Sequence, residues 1–396
     1  MIDPQAEPNS EIVSPAHDPG PLPAADVFLN VADVPPADAV ASPLPAPRRL
    51  GPGFWESIAW MVGFYVVQIG ATLLACAVLV AAFIVSAGVD SGGSNPAALV
   101  RSLWAQFSAH LVTITGAAQV ATIVFGLMAI RLRFGASGLH DLGFQRPWRG
   151  HWLLVTLLLP PLCLLCTVLQ SAAGRAFPVA HDEMQELMRL FSEAPLQLLV
   201  LVVGLGPGLG EELLFRGLIG RGLVARWGLA PGILATSVLF AVMHLNPAQA
   251  IAVLPIGLAL HFVYYTTRSF WAPVTLHFAN NALSMILLKN SNSPAVTRFD
   301  QIMESQGGLP PYVLVASVAM ITAIIILLWQ TRVQYVLPDG SVWNPGYATA
   351  GAPPAELNAR LERQEPRLLM LAGSTFNSLG FAAGLWRMVD WVGLTW

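Results

Sequence analysis

The chain has 396 residues, of which 55% are hydrophobic and only 11% charged, and its formal net charge is −3. A soluble domain carries about 25% charged residues, so an ordinary water-soluble domain is excluded. The small acidic balance, with no basic run, argues against a nucleic-acid partner. The three cysteines, Cys76, Cys163 and Cys166, lie in apolar segments, which fits packing better than a disulfide framework. The Cys163/Cys166 pair alone is a weak sign of redox or metal chemistry.

Residues 1–52 are rich in Pro, Ala and Asp and poor in aromatics. Such a segment does not bury enough apolar surface to offset its ordering entropy, so it reads as a disordered tail. It lacks a basic start followed by a short apolar core, so it is not a signal peptide. Apolar segments follow at 57–87, 111–130, 152–173, 195–220, 230–246, 248–266, 270–288 and 311–330. They predict an all-α, polytopic integral membrane helical bundle of about eight transmembrane helices, at ~20 residues per span. Pro160-Pro161 should kink the third span. The fifth and sixth are short, are parted only by Asn246-Pro247, and read as a tight helical hairpin.

Arginine placement orients the bundle. With the N-terminus inside, the inner segments hold Arg48, Arg49, Arg131, Arg133, Arg146, Arg149, Arg221, Arg226, Arg268 and Arg332, against Arg101, Arg175, Arg189, Lys289 and Arg298 outside. That excess predicts both termini inside. Nineteen arginines to one lysine, with abundant Ala, Gly and Pro, hint at a GC-rich and hence bacterial genome, and so at the inner (cell) membrane. After the last span, Val333–Trp343 reads as a hairpin turning at Pro338-Asp-Gly, 355–367 as a charged helix, and 385–396 as an interfacial segment. The chain thus divides at 1–52 (tail), 53–192 (first spans), 193–332 (polar spans and last helix) and 333–396 (C-terminal tail with hairpin and interfacial segment).

Polar groups interrupt three of the apolar segments. In residues 196–220 the only ionisable groups are Glu211, Glu212 and Arg216. A charge at the bilayer centre costs at least ~2.5–3.5 kcal/mol, so its default reading is a site facing a protein-lined cavity. Glu212 and Arg216 are i and i+4 and can pair, whereas Glu211 is turned by about 100°. One carboxylate then pairs while the other faces a cavity. The second signature is Phe240-Ala-Val-Met-His244 and the third His277-Phe-Ala-Asn-Asn281. Gly204–Gly210 is a poor continuous helix, which predicts a new helix from about Gly210. Counting ~1.5 Å per residue then sets Glu211 and His244 ~22 Å from the inner interface, but His277 and Asn281 at ~9 and ~15 Å.

This set suits hydrolysis. A carboxylate beside an imidazole can hold and deprotonate a water, and burial raises a carboxyl pKa toward that of a useful general base. A second imidazole and a carboxamide can donate to an oxyanion. His and Glu are also common zinc ligands, but no His-Glu-x-x-His occurs, which excludes a standard zincin site. The bland readings stand beside this: Glu212–Arg216 as a structural ion pair, the histidines as satisfied packing groups, Asn281 as a helix-bridging amide, Phe240 and His261 as packing. Asn280, a turn of ~100° from Asn281, is discounted. A peptide-sequestering scaffold and a proton-coupled transporter are the other function classes. The clustering of polar groups in one third of the chain disfavours the transporter.

Gly-Glu211-Glu212-Leu-Leu-Phe-Arg216-Gly, Phe240-x-x-x-His244 and His277-x-x-x-Asn281, in this order, resemble the three-motif signature of the CAAX-processing and bacteriocin-processing (CPBP, or Abi) endopeptidases. The likeness covers about 195–290, with His261 standing where a small residue is expected. It implies an intramembrane endopeptidase acting on a peptide or membrane-protein substrate in the lipid bilayer. Glu211 and His244 would activate water, His277 and Asn281 would stabilise the oxyanion, and Glu212 and Arg216 would support them. The alternative within the family is a non-catalytic scaffold or bacteriocin-immunity factor. The family is described both with and without metal, so no cofactor is assigned; if zinc is present, Glu211, His244 and His277 are its ligands.

Overall fold

The computed structural model describes residues 50–87, 96–305, 309–343 and 350–363. Eleven helices are labelled in chain order: α1 Phe54–Ala87, α2 Pro96–Phe134, the single turn α3 Ser137–His140, α4 Arg149–Ala176 and α5 Pro178–Ser192. There follow α6 Leu196–Trp227, α7 Leu229–Val242, α8 Pro247–Thr267, α9 Trp271–Lys289, α10 Pro294–Ser305 and α11 Pro311–Gln330. All eight predicted apolar segments are helical over most of their length. Six of them, in α1, α2, α4, α6, α8 and α11, are long and apolar enough to cross a membrane. α7 is shorter, and α9 carries the polar third signature.

The helix ends alternate between two poles. At one pole Arg133 Nε of α2 pairs with Glu56 Oε1 of α1 at 2.5 Å, and Arg226 Nη2 of α6 donates to the Gly51 carbonyl at 2.9 Å. Arg221 is buried there, donating to Gly138 O at 3.1 Å and stacked on Phe134. His151 of α4 meets Thr331 O after α11 at 3.0 Å, and Arg268, with φ 47, ends α8 and reaches Val333 O. The other pole holds α5. Asn246 Nδ2 donates to Ala180 O at 2.7 Å and Lys289 Nζ to Ser192 O at 2.7 Å, fastening α5 at both ends. The α7–α8 hairpin turns through Leu245 at φ 54, and the Asn246 side chain caps α8 by accepting from Gln249 N at 3.0 Å.

Two expectations fail. No break occurs at Gly204–Gly210: α6 runs on through π segments Val200–Leu205 and Leu213–Ile219, with Pro207 inside the run. Its glycines serve close approach. A Cβ on Gly206 would lie 2.7 Å from Gln119 Cγ of α2, and one on Gly208 3.4 Å from Phe278 N of α9. Small residues of this kind let membrane helices pack backbone to backbone. In α4, Pro160-Pro161, where a kink is expected, lies within the helix, which runs from Arg149 to Ala176.

The second failure is the charged helix expected at 355–367, of which residues 355–363 are described. A 3-10 turn, Ala355–Leu357, ends at Asn358 with φ 46, and Arg360–Arg363 is strand β2, antiparallel to β1 Val333–Val336. Pro353-Pro354 and the alternation Arg360-Leu361-Glu362 favour the extended chain. Of the expected hairpin, the turn exists, closed by Leu337 N to Ser341 O at 2.8 Å and one bridge, Val336 to Val342. Nearly all of the N-terminal tail and the segment 385–396 lie outside the described residues.

Candidate active site

On α6 the two glutamates diverge. Glu212 is fully buried; its Oε1 accepts from Arg216 Nη1 at 3.0 Å and lies 2.8 Å from His277 Nδ1 of α9. Arg216 also donates from Nη2 to the Gly257 carbonyl of α8 at 2.8 Å, and its guanidinium sits 4.9 Å from the Phe240 ring centre of α7. One buried ion pair therefore links four helices. A buried pair keeps its place only when further hydrogen bonds support it; here the Gly257 carbonyl supports Arg216 and the His277 ring supports Glu212 Oε1.

Glu211 points elsewhere. Its Oε2 accepts no hydrogen bond and lies 3.9 Å from His277 Nε2. Glu211, His244, His277, Asn280 and Asn281 all line one cavity of about 1010 Å3, whose far wall includes Met184 and Met188 of α5. The rise count had put His277 ~13 Å shallower than Glu211. It assumed straight, parallel helices crossing in one register; the 3.9 Å approach of His277 Nε2 to Glu211 Oε2 shows that α6 and α9 do not pack in that way.

His244 stands one residue beyond the C-cap of α7 rather than inside the helix. Its Nδ1 lies 3.0 Å from the Phe240 carbonyl. A carbonyl only accepts, so Nδ1 carries the hydrogen and the neutral ring has its lone pair on Nε2. Phe240 packs edge-on to both His244 and His277, with ring centres 5.3 and 5.8 Å apart; its part is to hold the two imidazoles. Asn281 Nδ2 donates to the Val203 carbonyl at 3.2 Å. His261 is fully buried beside Gly220, where any Cβ would collide with its ring, and is not among the cavity residues.

Sequence reasoning passed over Asn280, Cys163 and the α5 wall. Asn280 and Cys163 line the cavity. The spacing rule that set Asn280 aside treats side chains as directions and leaves out a bond between neighbours.

Among the described residues, no three His, Cys, Asp or Glu side chains are disposed to ligate one ion. Glu211, His244 and His277 are therefore not set as three ligands around one point, although His277, with Nδ1 on Glu212, keeps Nε2 on the Glu211 side.

Residues 193–283 match the family described as type II CAAX prenyl endopeptidase, Rce1-like. The match runs from the start of α6 into α9 and holds all three signatures. The family likeness is thus carried by this segment, about a quarter of the chain, and the apolar helices around it are those of an integral membrane protein. At the level of the family, the activity is CAAX-type intramembrane proteolysis. Comparison with curated proteins and with solved structures gives no match.

Proposed function

We propose that this CPBP protein is an intramembrane endopeptidase in which Glu211 activates water without a metal. The observation that carries the reading is the divergence of the two glutamates: Glu212 Oε1 is taken up by Arg216 and His277 away from the cavity, while Glu211 lines the cavity and is held by neither.

The steps balance as follows. Glu211 takes a proton from water as the water oxygen bonds to the peptide carbonyl carbon, and His244 Nε2 accepts the water's second hydrogen as a hydrogen bond. His277 donates from Nε2 as an imidazolium whose charge faces Glu212, and Asn281 offers the second N–H to the oxyanion. Collapse breaks the C–N bond, and Glu211 returns its proton to the leaving nitrogen. Glu212 and Arg216 orient His277. The substrate is a peptide or membrane-protein segment that enters from the bilayer. The experiment is cleavage of a membrane-peptide library by the purified protein in detergent, beside His244→Ala, with and without a chelator. Cleavage by the wild type that survives chelation and is lost in the variant is the expected result. Loss in chelator points to a metal; no cleavage by folded wild type points to a scaffold.

The arginine-rich pole is read as the cytoplasmic side of a bacterial inner membrane. On intact cells, an impermeant thiol reagent should label a cysteine placed at Lys289; labelling at Arg332 instead reverses the orientation.

A further inference from the structure

α9 sets a second carboxamide beside the one in the third signature. Asn280 Nδ2 donates to Asn281 Oδ1 at 3.1 Å. Asn280 Oδ1 accepts from Cys163 Sγ of α4 at 3.4 Å, within reach of a thiol donor. Asn281 Nδ2 donates onward to the Val203 carbonyl of α6. All the links run one way: thiol to amide oxygen, amide nitrogen to amide oxygen, amide nitrogen to main-chain carbonyl. The Val203 carbonyl can only accept, which fixes the nitrogen end of Asn281, and the Asn280 donor agrees with that orientation. One Nδ2 hydrogen of Asn281 remains.

We propose that Asn280, held by Cys163, is a positioning residue that sets the plane of the Asn281 carboxamide so that this last N–H meets the developing oxyanion. The inference rests on Asn281 as the oxyanion donor. The physical need is plain: the terminal torsion of an asparagine is broad, whereas an oxyanion donor accelerates a reaction only when it is already aimed. Bonds at both ends of the amide remove that freedom. Cys163 lies outside residues 193–283, so the first spans reach into the catalytic segment through this thiol.

The test uses full-length protein with Cys76→Ala and Cys166→Ala, which leaves Cys163 as the one thiol of the three in the chain. Asn280→Ala should lower kcat about tenfold to a hundredfold with KM within about twofold. Added to Asn281→Ala, it should cost less than about a further twofold, because its effect passes through Asn281. Asn280→Asp keeps the acceptor for Cys163 but removes the donor to Asn281, so its kcat should also fall. The infrared S–H stretch of Cys163 should move to higher frequency in Asn280→Ala and not in Asn280→Asp. An additive loss with Asn281→Ala, or a raised KM with kcat intact, would make Asn280 a packing or binding residue. A stationary S–H band in Asn280→Ala would overturn the relay whatever the kinetics. A folded wild type that cleaves nothing would remove the protease reading and the positioning role with it, while the band still reports on the bonded chain.

Discussion

α1 and α6 are both apolar enough to cross a bilayer, yet they are built for opposite surroundings. In α1 none of the most apolar stretch is buried inside the protein; in α6 56% of it is. Leu73, Leu74 and Val78 of α1 face outward, whereas the seven residues Leu213–Ile219 of α6 are all buried. High hydropathy here marks lipid contact. The chemistry sits where hydropathy falls, because a charge in a membrane is retained only where protein surrounds it.

That contrast can be broken residue by residue. Glu212→Leu leaves the Arg216 guanidinium without its carboxylate, and truncating one partner of a buried pair costs about 3–5 kcal/mol. Thermal denaturation in detergent should show the variant as the least stable of this series; a melting point equal to wild type would mean that the pair contributes nothing to the fold. Gly220→Val drives a branched side chain into the His261 ring, and overpacking costs about 1–3 kcal/mol. The double variant Gly220→Val/His261→Ala should recover part of that loss, and no recovery would show that the clash lies elsewhere. Leu73→Ala on the lipid face of α1 should stay within about 0.5 kcal/mol. A loss as large as that of Gly220→Val would erase the distinction between the two helices.

The apolar segments and the three ordered signatures were legible because each is local: hydropathy over ~20 residues, or partners within one helical turn. The divergence of Glu211 from Glu212 was legible for the same reason, since both lie in regular helix. What sequence did not carry was non-local or irregular. The π segments around the glutamates leave no distinct pattern in an apolar run, and the packing of α9 on α6 that brings His277 beside Glu211 is written in neither helix alone. The Asn280 bond depends on Cys163, more than a hundred residues away. Arg360–Arg363 looked helical by charge, but its state is set by the β1 strand that it pairs with. The arginines of one pole were read only as a topology signal, although Arg133, Arg221 and Arg226 also bind the ends of α1, α2 and α6 together.

The most direct test is the initial rate of cleavage by Glu211→Gln against wild type, on one peptide and at equal folded concentration. General-base catalysis contributes about 10²–10⁴-fold, so a fall of that size with an unchanged melting temperature is the expected result. A variant that cleaves within about twofold of wild type would contradict the account, because glutamine has the shape of Glu211 and none of its basicity.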